Sequence, residues 1–326
     1  MNKLYPLKFE PILKDKIWGG SKLHDILKKE KGSDKAGESW EISGVQDNIS
    51  VVSNGFLAGN NLQELIEVYM GDLVGDEVFE KFGIEFPLLI KFIEAHDDLS
   101  IQVHPNDLLA RERHNSYGKT EMWYILQAEK DARLTVGFNE KINKDIYLRH
   151  LKDKTLNKIL HEEKVKSGDV VFIPAGRIHA IGAGIVLAEI QQTSDVTYRI
   201  YDYDRKDASG HLRELHTDLA LDAIDYSLPD HYKIDYERSE NKSSEVVVCN
   251  YFTTKFLKLN NLVEKDYNLI DSFVIYICVD GKFEIDYNGE ETIKVTLGET
   301  VLIPADLKEL KLKSDQSAEI LEVYAQ

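Results

Sequence analysis

Gln102 and His104 stand two residues apart in Ser100-Ile101-Gln102-Val103-His104-Pro105, so in an extended strand both side chains leave the same face. Residues 120–126 read as a second strand with Glu121 near its start, and residues 168–179 read as a strand, a turn and then His179. One amide oxygen, two imidazoles and one carboxylate form a ligand set for a divalent metal such as zinc. The four lie far apart in the chain, so only a closed sheet or barrel would bring them together. Taken singly, a histidine of this kind is more often a hydrogen-bonded structural residue than a ligand, and Gln102 alone says less still.

The elements that must position these residues are mostly short strands. Residues 86–95 form an apolar strand interrupted by Lys91, a group costly to bury unpaired that points either to solvent or to a polar cavity, the cavity being slightly favoured. Residues 38–43 alternate like a strand, and the carboxylates on either side of Trp40 either reach a site or lie on a half-exposed face. Helices are expected at 21–31, at 61 to about 70 with Asn61 as cap and Glu64 three residues on, and at 76–82, 106–113 and 213–224. The charged stretch 139–163 reads as one or two amphipathic surface helices. His96, His150 and His161 read as solvated. Residues 227–244 read as a connector, and the short strands beyond it as an antiparallel sandwich or barrel.

The chain repeats itself. Residues 165–175 match 295–305, both ending in Ile-Pro-Ala, and residues 123–126 resemble 275–278. The two halves read as copies of one β-fold, with helices inserted in the first. In this alignment the second copy carries Glu309 in place of His179 and Phe273 roughly in place of Glu121, and it contains no histidine. A purely structural β-fold has no need of the polar set, since its sister does without it. That contrast favours a metal in the first copy.

The composition narrows the partners. The chain has 326 residues, 43% of them hydrophobic, and a formal net charge of −17. An acidic surface argues against nucleic acid and anionic membranes, and any phosphate-bearing substrate needs a local cluster of cations. Cys249 and Cys278 lie in apolar runs and read as buried reduced thiols. No apolar leader or bilayer-length run is present, so a cytoplasmic location is expected.

Residues 168–179 resemble the second cupin motif, with Ala183 where that motif ends in asparagine. The first cupin motif is irregular: Gln102 replaces a histidine, and Glu121 lies beyond the usual spacing. Gln102-Val103-His104-Pro105, then Lys119-Thr120-Glu121-Met122, then Pro174 through His179, then Thr197-Tyr198-Arg199 resemble the type I mannose-6-phosphate isomerases, and residues 86–93 extend the match. The resemblance covers about residues 1–215 and is to the short bacterial form, without the large helical domain of the eukaryotic enzymes. It implies a mainly β fold of two cupin (jelly-roll) β-barrel domains, residues 1–240 with helical insertions and residues 241–326 without metal. It implies zinc held by Gln102, His104, Glu121 and His179, and interconversion of mannose 6-phosphate and fructose 6-phosphate through an enediolate. Arg199, Glu189 and Lys119 would be catalytic; Lys91, Ser100 and Arg205 would bind the sugar phosphate. Lys119 has a rival role in simply neutralising Glu121. Arg205-Lys206, flanked by Asp202, Asp204 and Asp207, has one as a solvated loop. No nucleic acid or membrane partner is expected, and the chain is expected as a monomer or weak dimer. The competing readings are an iron-dependent cupin oxygenase, a non-catalytic sugar-binding module and an archaeal-type cupin phosphoglucose isomerase.

Overall fold

The computed structural model describes residues 3–30, 33–206, 210–289 and 291–326. Among these, twenty strands, β1–β20 in chain order, form four sheets. The first runs β1 (Ile12–Gly20), β2 (Ala36–Ser43), β3 (Leu88–Ala95), β10 (Ile185–Gln192), β5 (Glu121–Ala128), β8 (Val170–Ile173). Facing it is β11 (Tyr198–Tyr201), β4 (Ile101–Val103), β9 (His179–Ile181), β6 (Arg133–Phe138), β7 (Leu160–Lys164). The third runs β12 (Ser244–Val248), β13 (Phe252–Leu259), β20 (Ala318–Ala325), β15 (Val274–Asp280), β18 (Thr300–Ile303). The fourth is β14 (Leu262–Asp266), β19 (Glu309–Lys313), β16 (Lys282–Tyr287), β17 (Glu291–Thr296). Every named ladder is antiparallel, and each half is a jelly roll of two sheets packed face to face rather than a closed barrel.

Period-2 alternation sets the layers. On the first sheet Leu88, Ile90 and Phe92 of β3, Met122 and Tyr124 of β5, and Val186, Ala188 and Ile190 of β10 turn toward the second half. There they meet Phe252, Phe256, Ile275, Ile277, Leu321 and Val323. The intervening residues, Ile93, Trp123, Ile125, Ile185 and Leu187, turn inward onto Leu99, Leu134, Val136 and Ile181 of the facing side. Phe283, Ile285, Leu310 and Leu312 fill the second half against Leu257, Tyr276 and Ile320. The outer face of β4, β9 and β11 is covered by the helices Lys144–Lys152 and Thr217–Ala223, through Tyr147 and Ala220.

Several local expectations change. The capped helix is Leu62–Tyr69, with the Asn61–Glu64 capping box in place, and Asp76–Phe82 and Asp107–His114 are helical. The helix expected over 21–31 is only Lys22–Asp25. Lys28 takes a left-handed φ of 57°, and Lys29 turns inward to Glu41 (2.6 Å) and the Gly298 carbonyl (2.5 Å); Lys31 lies outside the described residues. In the charged stretch only Lys144–Lys152 and a short 3-10 turn are helical, because its last residues pair with β6 as the edge strand β7. The helix expected from 213 begins at Thr217, because the backbone before it runs beside β11, with His216 N–H donating to the Arg199 carbonyl (2.7 Å).

The repeat register also shifts by one. Trp123 pairs with Val171 and Tyr276 with Val301, so Trp123 corresponds to Tyr276, and Glu121 to Val274 rather than Phe273. A one-residue slip moves a side chain to the other face. Phe273 accordingly belongs to the core between the halves.

Candidate metal centre and active site

The inward face of the first sandwich is apolar at one end and ionisable at the other. One row across the first sheet reads Trp40, Lys91, Glu189, Trp123, and the next residues along β5 and β10 on that face are Glu121 and Gln191. On the facing sheet Arg199 pairs with Gln102 and Gln102 with His179. His104 follows β4 directly. His179 is set by the turn before it, where the Gly176 N–H donates to the His104 carbonyl (2.9 Å). Gly176 has φ +91°, and a Cβ there would lie 2.8 Å from the Ala223 carbonyl oxygen, so the turn requires glycine.

His104, Glu121 and His179 converge, with one ligand atom from each lying within 4.8 Å of the others, and all three are buried. His179 Nε2 is 3.4 Å from Glu121 Oε1, and His104 Nε2 is 3.5 Å from Glu121 Oε2. Those separations match the ~3.4 Å edge of a tetrahedron built on metal bonds of ~2.1 Å. His104 Nδ1 lies 3.0 Å from the Val196 carbonyl and His179 Nδ1 2.9 Å from the Arg177 carbonyl. A carbonyl only accepts, so Nδ1 carries the proton on both rings and each Nε2 presents its lone pair inward, the arrangement metal-ligating imidazoles use. Gln102 joins from β4, its amide nitrogen 3.2 Å from His179 Nε2, and a flip of that amide offers its oxygen instead. Glu121 Oε1 is buried and, among the described residues, without a hydrogen-bond partner. Two inward lone pairs and an orphaned carboxylate oxygen fit a divalent cation.

The charges agree. Burial drives the His179 pKa down to about 3 and, with Lys119 and His179 nearby, holds His104 well below its ordinary value, so both rings are neutral at pH 7. Burial and the charge of Glu189 push Glu121 up to about 7, the response of a carboxylate lacking enough positive charge. Lys119 Nζ contacts Glu121 Oε2 (2.6 Å) and His104 Nε2 (3.1 Å) and lies 3.8 Å from Glu189. Glu189 accepts from Lys91 Nζ (3.0 Å) and Trp123 Nε1 (2.9 Å). Burial works to raise Glu189, but Lys119 and Lys91 outweigh it and hold it down at about 2. Lys91 is buried over the Trp40 ring, and burial is outweighed there by Glu189 and Glu38, which raise its pKa.

A cavity of about 460 Å³ opens beside this centre between the edge strands β1 and β11. Gln102, Lys91, Ser100, Lys119, Glu189 and Arg199 all line it. Arg205 does not. Its guanidinium is taken up by the carbonyls of Asp98 and Asp202 and by the Asp202 carboxylate, and it stacks on Tyr203. Lys206 pairs with Leu212, and Asp207 lies outside the described residues. His96 is exposed; His150 and His161 bond locally to Thr155 and Glu163.

Sequence reasoning passed over Asp15, Lys16, Trp18, Asp195 and Arg213 as cavity residues, and left Glu38 between a site and a half-exposed face. Trp18 sits in β1. Glu38 and Glu41 divide by strand alternation and its bulge: Glu38 faces the cavity, bonded by Trp40 Nε1 (2.7 Å), while Glu41 faces the other half. No spacing in the sequence marks Arg213, which a loop carries back to the site.

The chain resembles known proteins along nearly its whole length. Residues 6–131 match the family model for the catalytic domain of type I phosphomannose isomerase, and residues 242–325 the model for the cupin domain of mannose-6-phosphate isomerase. The mannose-6-phosphate isomerase ManA of Bacillus subtilis is 37% identical over 314 residues, covering 94% of this chain and 96% of that one. The mannose-6-phosphate isomerase of Streptococcus mutans is 32% identical over 95% of this chain and 96% of its own. The crystal structure of the mannose 6-phosphate isomerase from Bacillus subtilis superposes with a TM-score of 0.88 at 32% identity, covering 98% of this chain and 99% of that one. Likeness at this identity and coverage, in a chain whose buried histidines and glutamate converge as they do here, settles the family: this chain belongs to the type I phosphomannose isomerases.

Proposed function

We propose that this chain interconverts mannose 6-phosphate and fructose 6-phosphate, with zinc held by Gln102, His104, Glu121 and His179. The observation that carries the reading is the buried convergence of His104, Glu121 and His179, with both rings neutral and the orphaned Glu121 Oε1 3.4 Å from His179 Nε2, beside a cavity lined by Lys91, Lys119 and Arg199. When bound, the metal supplies Lewis acidity toward the O1/O2 end of the sugar.

The protein's own groups do the rest. Glu189 takes the proton from one of C1 and C2. The electron pair of the broken C–H bond forms the C1–C2 double bond of an enediolate as the carbonyl π pair moves onto its oxygen. The hydroxyl proton passes between O1 and O2, and Glu189 returns its proton to the other carbon as the new carbonyl forms. The brace that keeps Glu189 ionised also lowers its basicity, so proton transfer depends on neighbouring cations acidifying the C–H bond first. Arg199, permanently charged and paired with Gln102 across the ladder, stabilises negative charge on O1 and O2. Lys119, between Glu121 and Glu189, holds both carboxylates in place, and Ser100 and Lys91 orient the sugar. We divide the chain at residues 1–240, which carry this site, and 241–326, whose sheets support it. The reading carries with it a cytoplasmic location and a monomer or weak dimer. No helix among the described residues is long and apolar enough to cross a membrane.

The test is a coupled assay on mannose 6-phosphate alongside elemental analysis. Chelation abolishes formation of fructose 6-phosphate, and added zinc restores it. Full turnover by protein verified free of metal sinks the proposal.

A further inference from the structure

We infer that Arg213 is the guanidinium that grips the substrate's phosphate, and that Asp202, braced by Arg205, positions it; the inference rests on the sugar-phosphate reading above. Arg213 lines the cavity with Arg199, Lys119 and Gln102, whereas Arg205 does not. Lys206 and Leu212 pair as an antiparallel bridge, so the next opposed pair outward is Arg205 and Arg213. Like charges directly opposite each other are destabilising. Buried Asp202 lies between them, one oxygen meeting Arg205 Nη2 at 2.5 Å and the other 3.3 Å from Arg213 Nε, an ion-pair distance at which that oxygen has no hydrogen-bond partner among the described residues.

A single carboxylate does not balance this cluster. Burial lowers the Arg213 pKa, and the charges of Arg199 and Arg205 add to it against the opposing pull of Asp202. Glu214, the other carboxylate acting on Arg199, has a side chain 82% exposed. The Nε of Arg199 is buried and, among the described residues, lacks a hydrogen-bond partner. The described cluster is therefore short of negative charge, in a protein whose net charge is −17. That is the local cation excess a phosphate dianion needs on an acidic surface.

The ladder gives the direction of binding. His179, Gln102 and Arg199 are successive cross-strand neighbours, and His216, three residues after Arg213, bonds the free edge of β11 through its N–H. From Gln102 to that edge is two strand spacings, about 10 Å. An extended six-carbon sugar phosphate placed along this line has its reacting carbons at the metal centre and its phosphate at Arg213.

Arg213→Gln in the zinc-loaded enzyme tests this. KM for mannose 6-phosphate rises about tenfold or more, the competitive inhibition constant of inorganic phosphate rises in parallel, and kcat moves less. Calorimetric affinity for inorganic phosphate falls by a similar factor, a readout independent of turnover. Arg213→Lys recovers part of the loss, and Asp202→Asn gives a smaller rise in the same two constants. Unchanged phosphate affinity in Arg213→Gln overturns the inference, as does a fall in kcat with KM and phosphate inhibition unmoved. An Asp202→Asn variant with wild-type constants overturns the positioning role. A wild-type protein that binds phosphate through Arg213 but leaves mannose 6-phosphate unconverted overturns the isomerase reading and leaves the anion clamp standing.

Discussion

The two sandwiches share one strand order. Without β1 and β11, the first reads β2-β3-β10-β5-β8 over β4-β9-β6-β7, and the second β12-β13-β20-β15-β18 over β14-β19-β16-β17. One row even keeps its chemistry: Lys91, Glu189, Trp123 and Val171 in the first correspond to Lys255, Glu322, Tyr276 and Val301 in the second. In both copies a lysine answers the buried carboxylate of this row: Glu189 accepts from Lys91 (3.0 Å) and Trp123 (2.9 Å). Glu322 is paired with Lys265 and bonded by Ser243 (2.9 Å) and Tyr267 (3.1 Å), and Tyr267 in turn meets Tyr276. The copies differ two residues along the strand of Trp123 and Tyr276, where the second has Val274 and the first has Glu121, whose Oε1 lacks a partner among the described residues and lies 3.4 Å from His179 Nε2. The second answers its carboxylate with side chains alone, and the first adds a glutamate and two histidines that fit a divalent cation. The two added strands are also the ones that frame the cavity: β1 contributes Trp18 and Lys16, and β11 contributes Arg199.

The sharpest way to break this comparison is to remove the open valences. Glu121→Ala and His179→Ala are expected to lower turnover of mannose 6-phosphate by on the order of a thousandfold or more, because the Lewis acid goes with the ligand. Metal content, measured on the same preparations, falls with activity. Glu322→Gln, at the position of the second sandwich that corresponds to Glu189, leaves turnover at the wild-type level below its unfolding temperature. Retained metal and turnover in Glu121→Ala would falsify the distinction between an open and a closed carboxylate.

The closed cluster predicts a stability effect instead. Lys265→Met strands a buried carboxylate, since the side chains of Lys265 and Glu322 are only 9% and 3% exposed. The cost is about 3–5 kcal/mol in urea unfolding. Lys265→Met with Glu322→Gln together costs less than Lys265→Met alone, because no unpaired charge remains. A double variant as unstable as the sum of the two single ones contradicts the view that Lys265 stands there as a counter-ion.

Much of this was legible in the chain. The spacing of Gln102 and His104, and the Gly-Pro-Gly frame before His179, are local patterns that fix which face a side chain takes. Lys91 was readable as inward-facing because an unpaired lysine in an apolar strand needs a polar destination, and Glu189 supplies it. Register between distant strands was less legible. Residues 275–278 are apolar on both faces, so nothing in the sequence distinguishes an alignment on Ile275 from one on Tyr276; the ladder to Val301 does. The edge strand β7 hid in a charged run because an edge facing water needs no hydrophobic alternation. Arg213 was out of reach for a different reason: its place depends on where a loop returns, which no periodicity encodes.

A smaller effect sharpens how far the second sandwich does more than pack. Asp107, three residues past His104, accepts from the Tyr251 hydroxyl of the second half (2.6 Å), the Gly118 N–H (2.9 Å) and the Gln192 amide (2.9 Å). Partial burial works to raise its pKa, but these bonds hold it below the ordinary value. A carboxyl depressed on folding contributes stability that is fully present above its unfolded pKa of about 4, and loses it as pH falls through the folded value. Asp107→Asn is therefore expected to cost about 1 kcal/mol at pH 7, since the site is half exposed and only part of a charged hydrogen bond's worth is realised. The gap from wild type should close as urea unfolding is repeated at pH values falling below about 4. Tyr251→Phe should cost a similar amount at pH 7 and show the same convergence, because it removes the hydroxyl that Asp107 gains on folding. If Tyr251→Phe is neutral while Asp107→Asn is not, the carboxylate serves only Gly118 and Gln192 within the first half, and the halves are joined by apolar packing without this polar tie.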